Sequence, residues 1–540
     1  MKSDRGTVVA ALLAAAIAAA ASLGVTHEGM LQDTFKSAVV ACGALLAALV
    51  FVWPRSEAPL ILRWHPVLLL PLLLAAYAFA SMAWAHPWLA GVETVRWLVV
   101  ALLACVALQV LHDEARRAVV ARGVALGATV ASLWVVLQFF FGLELFPQGA
   151  RPASTFVNRN FFAEFAVCAL PWFAWLVVRE RRRGNRILIA LAAGVVVLAI
   201  GMTGARAALV ALGLLLASAL LARPTRSWVL VALLPFVLLG TVPTGDARIA
   251  AEQRGDTAIA RVFTRGAAIA SRDEATTMRL DMWAATARTI ADHPLAGVGA
   301  GSWEHEADYF AHNEFLQLVA EYGIVGWLFL AALVTWLVRE VRTVDAWRAA
   351  LLASLGALLV VSAAGFPWHL AATGAMFALG LGGLALPRGE ISLSRRSSIA
   401  TSAVIVVALV LAAYATVTAA RAESRLARAA RIALEIGGTS NPNDVRWLPA
   451  KSEMLRLADE GMRLHPHERL MTPLVADELG RWGDWPNAIR IWEHVLRSHP
   501  NVAPMLANVA RGYTAIGRPD LAAPYAERAR LLRQMSSSKG

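Results

Sequence analysis

Lysine is nearly missing from this chain: 540 residues contain only Lys2, Lys36, Lys451 and Lys539, so the net charge of +12 is carried by arginine. Charge of any sign is scarce too, at 16% of residues against 58% hydrophobic. A soluble domain has about 25% and about 45–50%. These deficits exclude an ordinary soluble protein and describe a membrane protein with a polar appendage. Much of the arginine sits in short loops between apolar runs, so membrane topology accounts for the basic balance better than nucleic-acid binding does. The three cysteines, Cys42, Cys105 and Cys168, lie inside apolar runs. They offer neither a disulfide framework nor metal-ligand spacing and read as small core residues.

What the chain does have is long apolar runs. A spanning helix needs about 20 mostly apolar residues. Runs of this kind fall at 8–25, 37–53, 66–85, 92–111, 118–142, 161–178, 186–203, 206–222, 227–243, 314–338, 347–364, 370–386 and 399–420. The expected fold is all-α, with about 12–13 transmembrane helices. The first run follows a basic MKSDR lead but exceeds the roughly 7–15 residues of a signal peptide, so an uncleaved anchor is expected. With a cytoplasmic N-terminus, the inner loops hold the arginine clusters, including Arg55 and Arg63, Arg116 and Arg117, and Arg179 to Arg186. The short outer loops hold few, which is the positive-inside pattern. The loop 244–313 is longer than the roughly 60 residues over which that rule is counted. It and the C-terminal segment are expected outside. Expected domains are N-terminal spans (1–60), a membrane domain (61–390), a last span and linker (391–430) and a helical appendage (431–540).

The appendage repeats itself. Pro466 and Pro500, Gly483 and Gly517, and Ala488 and Ala522 are each 34 residues apart, a period like that of tetratricopeptide repeats. Trp492 and Tyr513 stand at aromatic packing positions of that repeat, and Ala476 and Ala510 at its small positions. Such arrays bind protein partners on a concave face.

Ionisable residues within spans are costly and therefore informative. Glu93 and Arg96 lie one turn apart and read as a pair; Glu164 and Glu321 sit near the starts of their spans. All four fall in the outer part of the bilayer, whereas a transporter more often places charged binding groups near the midplane. The stretch RPASTFVNRNFFAEF concentrates Arg151, Asn158, Arg159, Asn160 and Glu164 at a helix entry, and the tight MTGARAAL link puts Arg206 at the membrane boundary. Further on, an amphipathic helix carries Arg279 and Trp283, a turn carries Gly297, Gly299 and Gly301, and His312 and Asn313 stand at the mouth of the tenth run. The segment GVGAG is not preceded by a strand, so it is no dinucleotide fingerprint. It reads as a tight turn returning the helix to the membrane, with backbone N–H groups offered to an anion.

In order and topology, TFVNRNFFAEF, TGAR, MRLDMWAATARTIADHPLAGVGAGSW and HNEFLQLVAEYGIVGW resemble the O-antigen ligase family of membrane glycosyltransferases, over roughly residues 60–390. Relatives of that family include O-antigen polymerases and protein O-oligosaccharyltransferases. The resemblance implies a multi-pass protein of the bacterial inner membrane with a periplasmic site. Its donor would be a glycan on undecaprenyl diphosphate, and its acceptor a lipid A core, a growing glycan or a protein. Arg206 and Arg279 match the family's essential arginines, with Arg151 a weaker third candidate, and all three are suited to diphosphate. His312 matches its essential histidine, which takes the acceptor proton as the hydroxyl attacks with inversion. Asn158, Asn160, Asn313, Glu321 and Trp283 are expected at the substrate, Asn313 and Glu321 orienting either the histidine or the sugar, with a helix-capping role for Asn313 equally open. No cofactor or metal is implied, and no D-x-D sequence of the kind that holds one in nucleotide-sugar enzymes is present. The expected surroundings are membrane lipids and a protein partner on the repeats, with no nucleic acid. The last span and the repeats depart from the simplest ligases, which end after twelve spans, and weigh toward polymerisation or protein glycosylation. A lipid or polysaccharide transporter is the reading from another class.

Overall fold

The computed structural model describes residues 4–26, 30–54, 59–252, 254–270, 274–303, 311–342 and 344–537; Arg55, Lys2 and Lys539 lie outside them. In chain order the elements are α1 (Arg5–Ser22), α2 (Gln32–Val52), β1 (Leu60–Trp64), α3 (Leu69–Ser81), α4 (Pro87–Val110), α5 (Glu114–Phe141), α6 (Arg159–Arg179), α7 (Arg183–Thr203), α8 (Arg206–Leu221) and α9 (Arg226–Leu239). The long loop then forms α10 (Ala247–Ala251), α11 (Ala258–Ala270) and α12 (Glu274–Asp292). After it come α13 (Glu314–Tyr322), α14 (Ile324–Glu340), α15 (Ala346–Ser362), α16 (Ala371–Leu384), β2 (Gly389–Leu393) and α17 (Arg395–Gly437). The appendage holds α18 (Leu448–Leu464), α19 (Thr472–Arg481), α20 (Trp485–Ser498), α21 (Ala503–Ala515) and α22 (Pro519–Ser537).

The protein is a polytopic membrane protein. Among the described residues, α1, α2, α4, α5, α6, α7 and α17 are long and apolar enough to cross a membrane, and shorter apolar helices lie at Pro66–Ser81 and at α8, α9, α15 and α16. In lipid, helices gain little from hiding apolar surface and associate through close backbone approach, which requires small residues. That is how α1 meets α5: a Cβ at Gly123 would stand 2.6 Å from the Ala14 Cα, and one at Gly127 would stand 2.9 Å from the Ala18 Cα.

Two local features add to the expected helical fold. First, β1 and β2 pair antiparallel, from Leu60 opposite Leu393 to Trp64 opposite Gly389. The bundle brings these two segments together, and their unsatisfied backbone groups pair. Gln109 on α4 fixes β1 by accepting from the Arg63 N–H and donating to the Arg63 carbonyl, both at 2.8 Å. Second, the tenth apolar run is not one helix. It breaks at Gly323, whose φ of 53° is left-handed, and gives the nine-residue α13 followed by α14.

The chain divides into two compact units; the larger comprises 1–24, 35–300 and 311–413, and the smaller 25–34, 301–310 and 414–540. Within the smaller, α19 with α20 and α21 with α22 form successive helix pairs. Each pair turns through a left-handed glycine, Gly483 or Gly517. Ala476 and Trp492 are buried in its core. The Trp492 indole N–H donates to Asp477 at 3.0 Å, and the Tyr513 and Tyr525 hydroxyls share Glu493.

Candidate active site

The site is built on α13 and on what is fastened to its two ends. At the C-terminal end, the glycine-rich turn supplies the amides that the helix lacks. The Val298 N–H donates to the Ala320 carbonyl at 2.9 Å, and the Gly299 N–H donates to the Glu321 carbonyl at 3.0 Å. The Gly297 N–H goes to His293 and the Ala300 N–H to the Ser81 hydroxyl. These amides are therefore spent inside the protein. The expectation that the turn offers them to an anion does not hold, because the break at Gly323 leaves helix carbonyls that need donors.

At the N-terminal end, Asn313 is the cap: its Oδ1 accepts from the N–H groups of Phe315 and Leu316 at 3.1 and 3.2 Å. His312, just before it, has a left-handed φ of 49°, a conformation rare for a residue with a side chain and concentrated at functional sites. Three contacts hold it there. The Trp283 indole N–H donates to the Ala311 carbonyl at 3.0 Å, tying α12 to the segment. Gln317 accepts from the Ala311 N–H at 3.2 Å and donates to Glu321 at 3.2 Å. The His312 ring packs against Phe366, centroid to centroid 5.3 Å. Trp283, Asn313 and Glu321 thus all join the network around His312, with Asn313 as the helix cap.

Arg279, one turn before Trp283 on α12, is near enough for its charge to act on His312. Burial first and the Arg279 charge second push the imidazole down to about 4, so it is neutral at pH 7 and carries a lone pair. Arg206 opens α8 and donates to the Ala268 carbonyl at the end of α11, at 3.4 Å.

The RPASTFVNRN loop has a different character. Arg151 pairs with Glu144 at 3.1 Å and with Asp246 at 3.2 Å, while Arg159 pairs with Glu252 at 2.5 Å and donates to the Arg151 carbonyl. Asn158 caps α6, accepting from the Asn160 N–H at 2.9 Å, and Asn160 lies half-buried in the first turn. These residues hold α6 and α10 in place, and their charges are already compensated. Glu93 and Arg96 form the expected ion pair.

Three residues with no assigned role join the site. Glu314, 1% exposed, accepts from the Trp368 N–H at 2.5 Å and lies 2.9 Å from His369 Nδ1. This clamps the loop 363–370 beside His312. His369 is also held below its ordinary value, by burial first and by the Arg96 charge next, with Glu314 opposing. Glu164 reaches the loop from α6, and a methyl group at Gly365 would collide with its Oε1. Glu314 and His369 are 55 residues apart, and no sequence motif joins them.

Residues 191–331 match the family model described as O-antigen ligase. The match contains Arg206, Arg279, Trp283, His312, Asn313 and Glu321 and stops short of Glu164 and His369. No curated protein matches the chain.

Proposed function

We propose that the protein is a glycosyltransferase that moves a glycan from undecaprenyl diphosphate to an acceptor hydroxyl at the periplasmic face of the bacterial inner membrane. The observation that carries this reading is a half-buried, neutral His312 on which the Arg279 charge acts, within the stretch that matches the O-antigen ligase model. Arg279 would bind the diphosphate bidentately and stabilise the negative charge that grows on it as the glycosidic bond breaks. Arg206, at the start of α8, would be a second cation for the same group. His312 would take the acceptor proton as the oxygen attacks the anomeric carbon from the opposite side. An imidazole near 4 is a weak base, but a diphosphate on Arg279 offsets the charge that depresses it. Base strength would then rise when the donor is in place. The chemistry calls on no metal or cofactor.

The 34-residue spacing of Gly483 and Gly517, both at helix-pair turns, supports a tetratricopeptide-like partner surface in the smaller unit. With the last span, it favours polymerisation or protein glycosylation over transfer to lipid A core. The test is to delete the gene and identify what accumulates. Single lipid-linked repeat units would mark a polymerase, finished lipid-linked polymer a ligase, and unglycosylated protein an oligosaccharyltransferase. No change in any lipid-linked glycan would refute the reading. A periplasmic reporter fused after Gly540 should be active, and activity in the cytoplasm instead would overturn the orientation.

A further inference from the structure

One carboxylate in the cluster has no task in the reaction above. Glu164 lies about a turn and a half into α6 and is 5% exposed. Its Oε2 is buried without a hydrogen-bond partner among the described residues. Its other oxygen lies over Gly365, where any side chain would displace it. The charged groups that act on it are Glu314 and Arg279. The contrast with Glu314 is instructive, because that carboxylate is met by the Trp368 N–H and the His369 ring. A buried carboxylate oxygen left unmatched is costly, and in a native protein it needs an explanation.

We propose that Glu164 is a sugar-reading carboxylate: its Oε2 accepts a hydrogen bond from a ring hydroxyl of the sugar joined to the donor diphosphate. The assignment rests on Arg279 as the diphosphate ligand. What the oxygen lacks is a donor. A phosphate oxygen carries none, whereas a sugar hydroxyl carries one. The sugar attached to a diphosphate on Arg279 is the hydroxyl-bearing group that its position brings nearest. Gly365 keeps the carboxylate from being pushed out of place. A site built to hydrogen-bond a hydroxyl discriminates strongly against ligands that lack it, because the buried group is then left unpaired.

The test uses the purified full-length protein and two probes followed by tryptophan fluorescence. One is farnesyl diphosphate, a diphosphate with no sugar; the other is the lipid-linked glycan extracted from cells lacking the gene. Glu164→Leu should leave farnesyl diphosphate binding unchanged and weaken the glycan lipid by roughly 10- to 100-fold. Glu164→Gln, which keeps the shape and a weaker acceptor, should fall between. Unchanged binding of both probes would overturn the proposal, as would equal loss of both. Tighter farnesyl diphosphate binding with unchanged preference for the glycan would also overturn it, making Glu164 a plain counter-ion to Arg279. Arg279→Ala separates the two readings: if it binds farnesyl diphosphate as wild type does, the diphosphate assignment fails whatever Glu164 does.

Discussion

Two arginine-rich regions of the membrane unit look alike in sequence and differ in what surrounds the charge. In the first, Arg151, Arg159 and Arg261 meet Glu144, Asp246, Glu252 and backbone carbonyls, and Arg261 is 1% exposed. In the second, Arg279 acts on a neutral histidine and on a carboxylate with an unmatched oxygen. The number of arginines therefore does not locate chemistry. Arg151, Arg159 and Arg261 tie loops and helices together through carboxylates and carbonyls, whereas the Arg279 charge bears on the base itself.

Substitution should separate the regions. His312→Ala and Arg279→Ala should each lower glycan transfer by about 100-fold or more while leaving the protein inserted. Transfer at the wild-type rate in either would remove the site. Arg151→Ala should do the reverse, costing roughly 3 kcal/mol of stability by leaving the buried Asp246 without its ion-pair partner. The folded fraction should still transfer, as thermal unfolding set beside turnover per folded molecule would show.

The two regions also differ in how protonation reports on charge. His312 titrates about 4, below the roughly 6.5 of a free imidazole. The unfolded chain thus binds the proton more readily, and the histidine's contribution to stability falls as pH drops from the free value through 4. Removing the Arg279 charge raises the folded value. Diethyl pyrocarbonate, which modifies neutral imidazole, should label His312 in wild type at pH 5 and label it less in Arg279→Gln. Arg151→Gln should leave the labelling as it was; equal profiles in all three proteins would break the link between Arg279 and His312.

Smaller effects sharpen the contrast. Gln317→Ala should lower kcat by about tenfold with little change in KM, because it frees the Ala311 backbone rather than a substrate contact. A change confined to KM would make Gln317 a substrate ligand instead. The caps Asn313 and Asn158 should each cost about 1 kcal/mol when changed to Ala. Only the first should slow transfer, and matching kinetics in the two variants would argue against α13 as the seat of the site.

The helices were legible because lipid imposes a composition that local sequence cannot hide; most of the apolar runs recur as helices within a few residues of their expected ends, while the run at 399–420 extends to Gly437 and the run at 314–338 is broken in two. His312 and Arg279 were legible from motif order. Their setting was not, because it is made by non-local pairs. Glu314 meets a loop 55 residues away, and Arg151 meets an aspartate 95 residues away. RPASTFVNRN looked like a binding loop only while its counter-ions were out of view. The break at Gly323 was masked by the unbroken apolar run around it.

Because α13 is a nine-residue rod of about 13 Å held at its far end by the glycine turn, it works as the site's gauge block. His312, Asn313 and Glu314 share its near end and keep their mutual spacing whatever the far end does. A side chain added at Gly299, where a Cβ would run into Ala85, would shift the rod as one piece. A lesion at the turn would thus act at the histidine by translation, leaving every residue of the site unaltered and all of them in the wrong place.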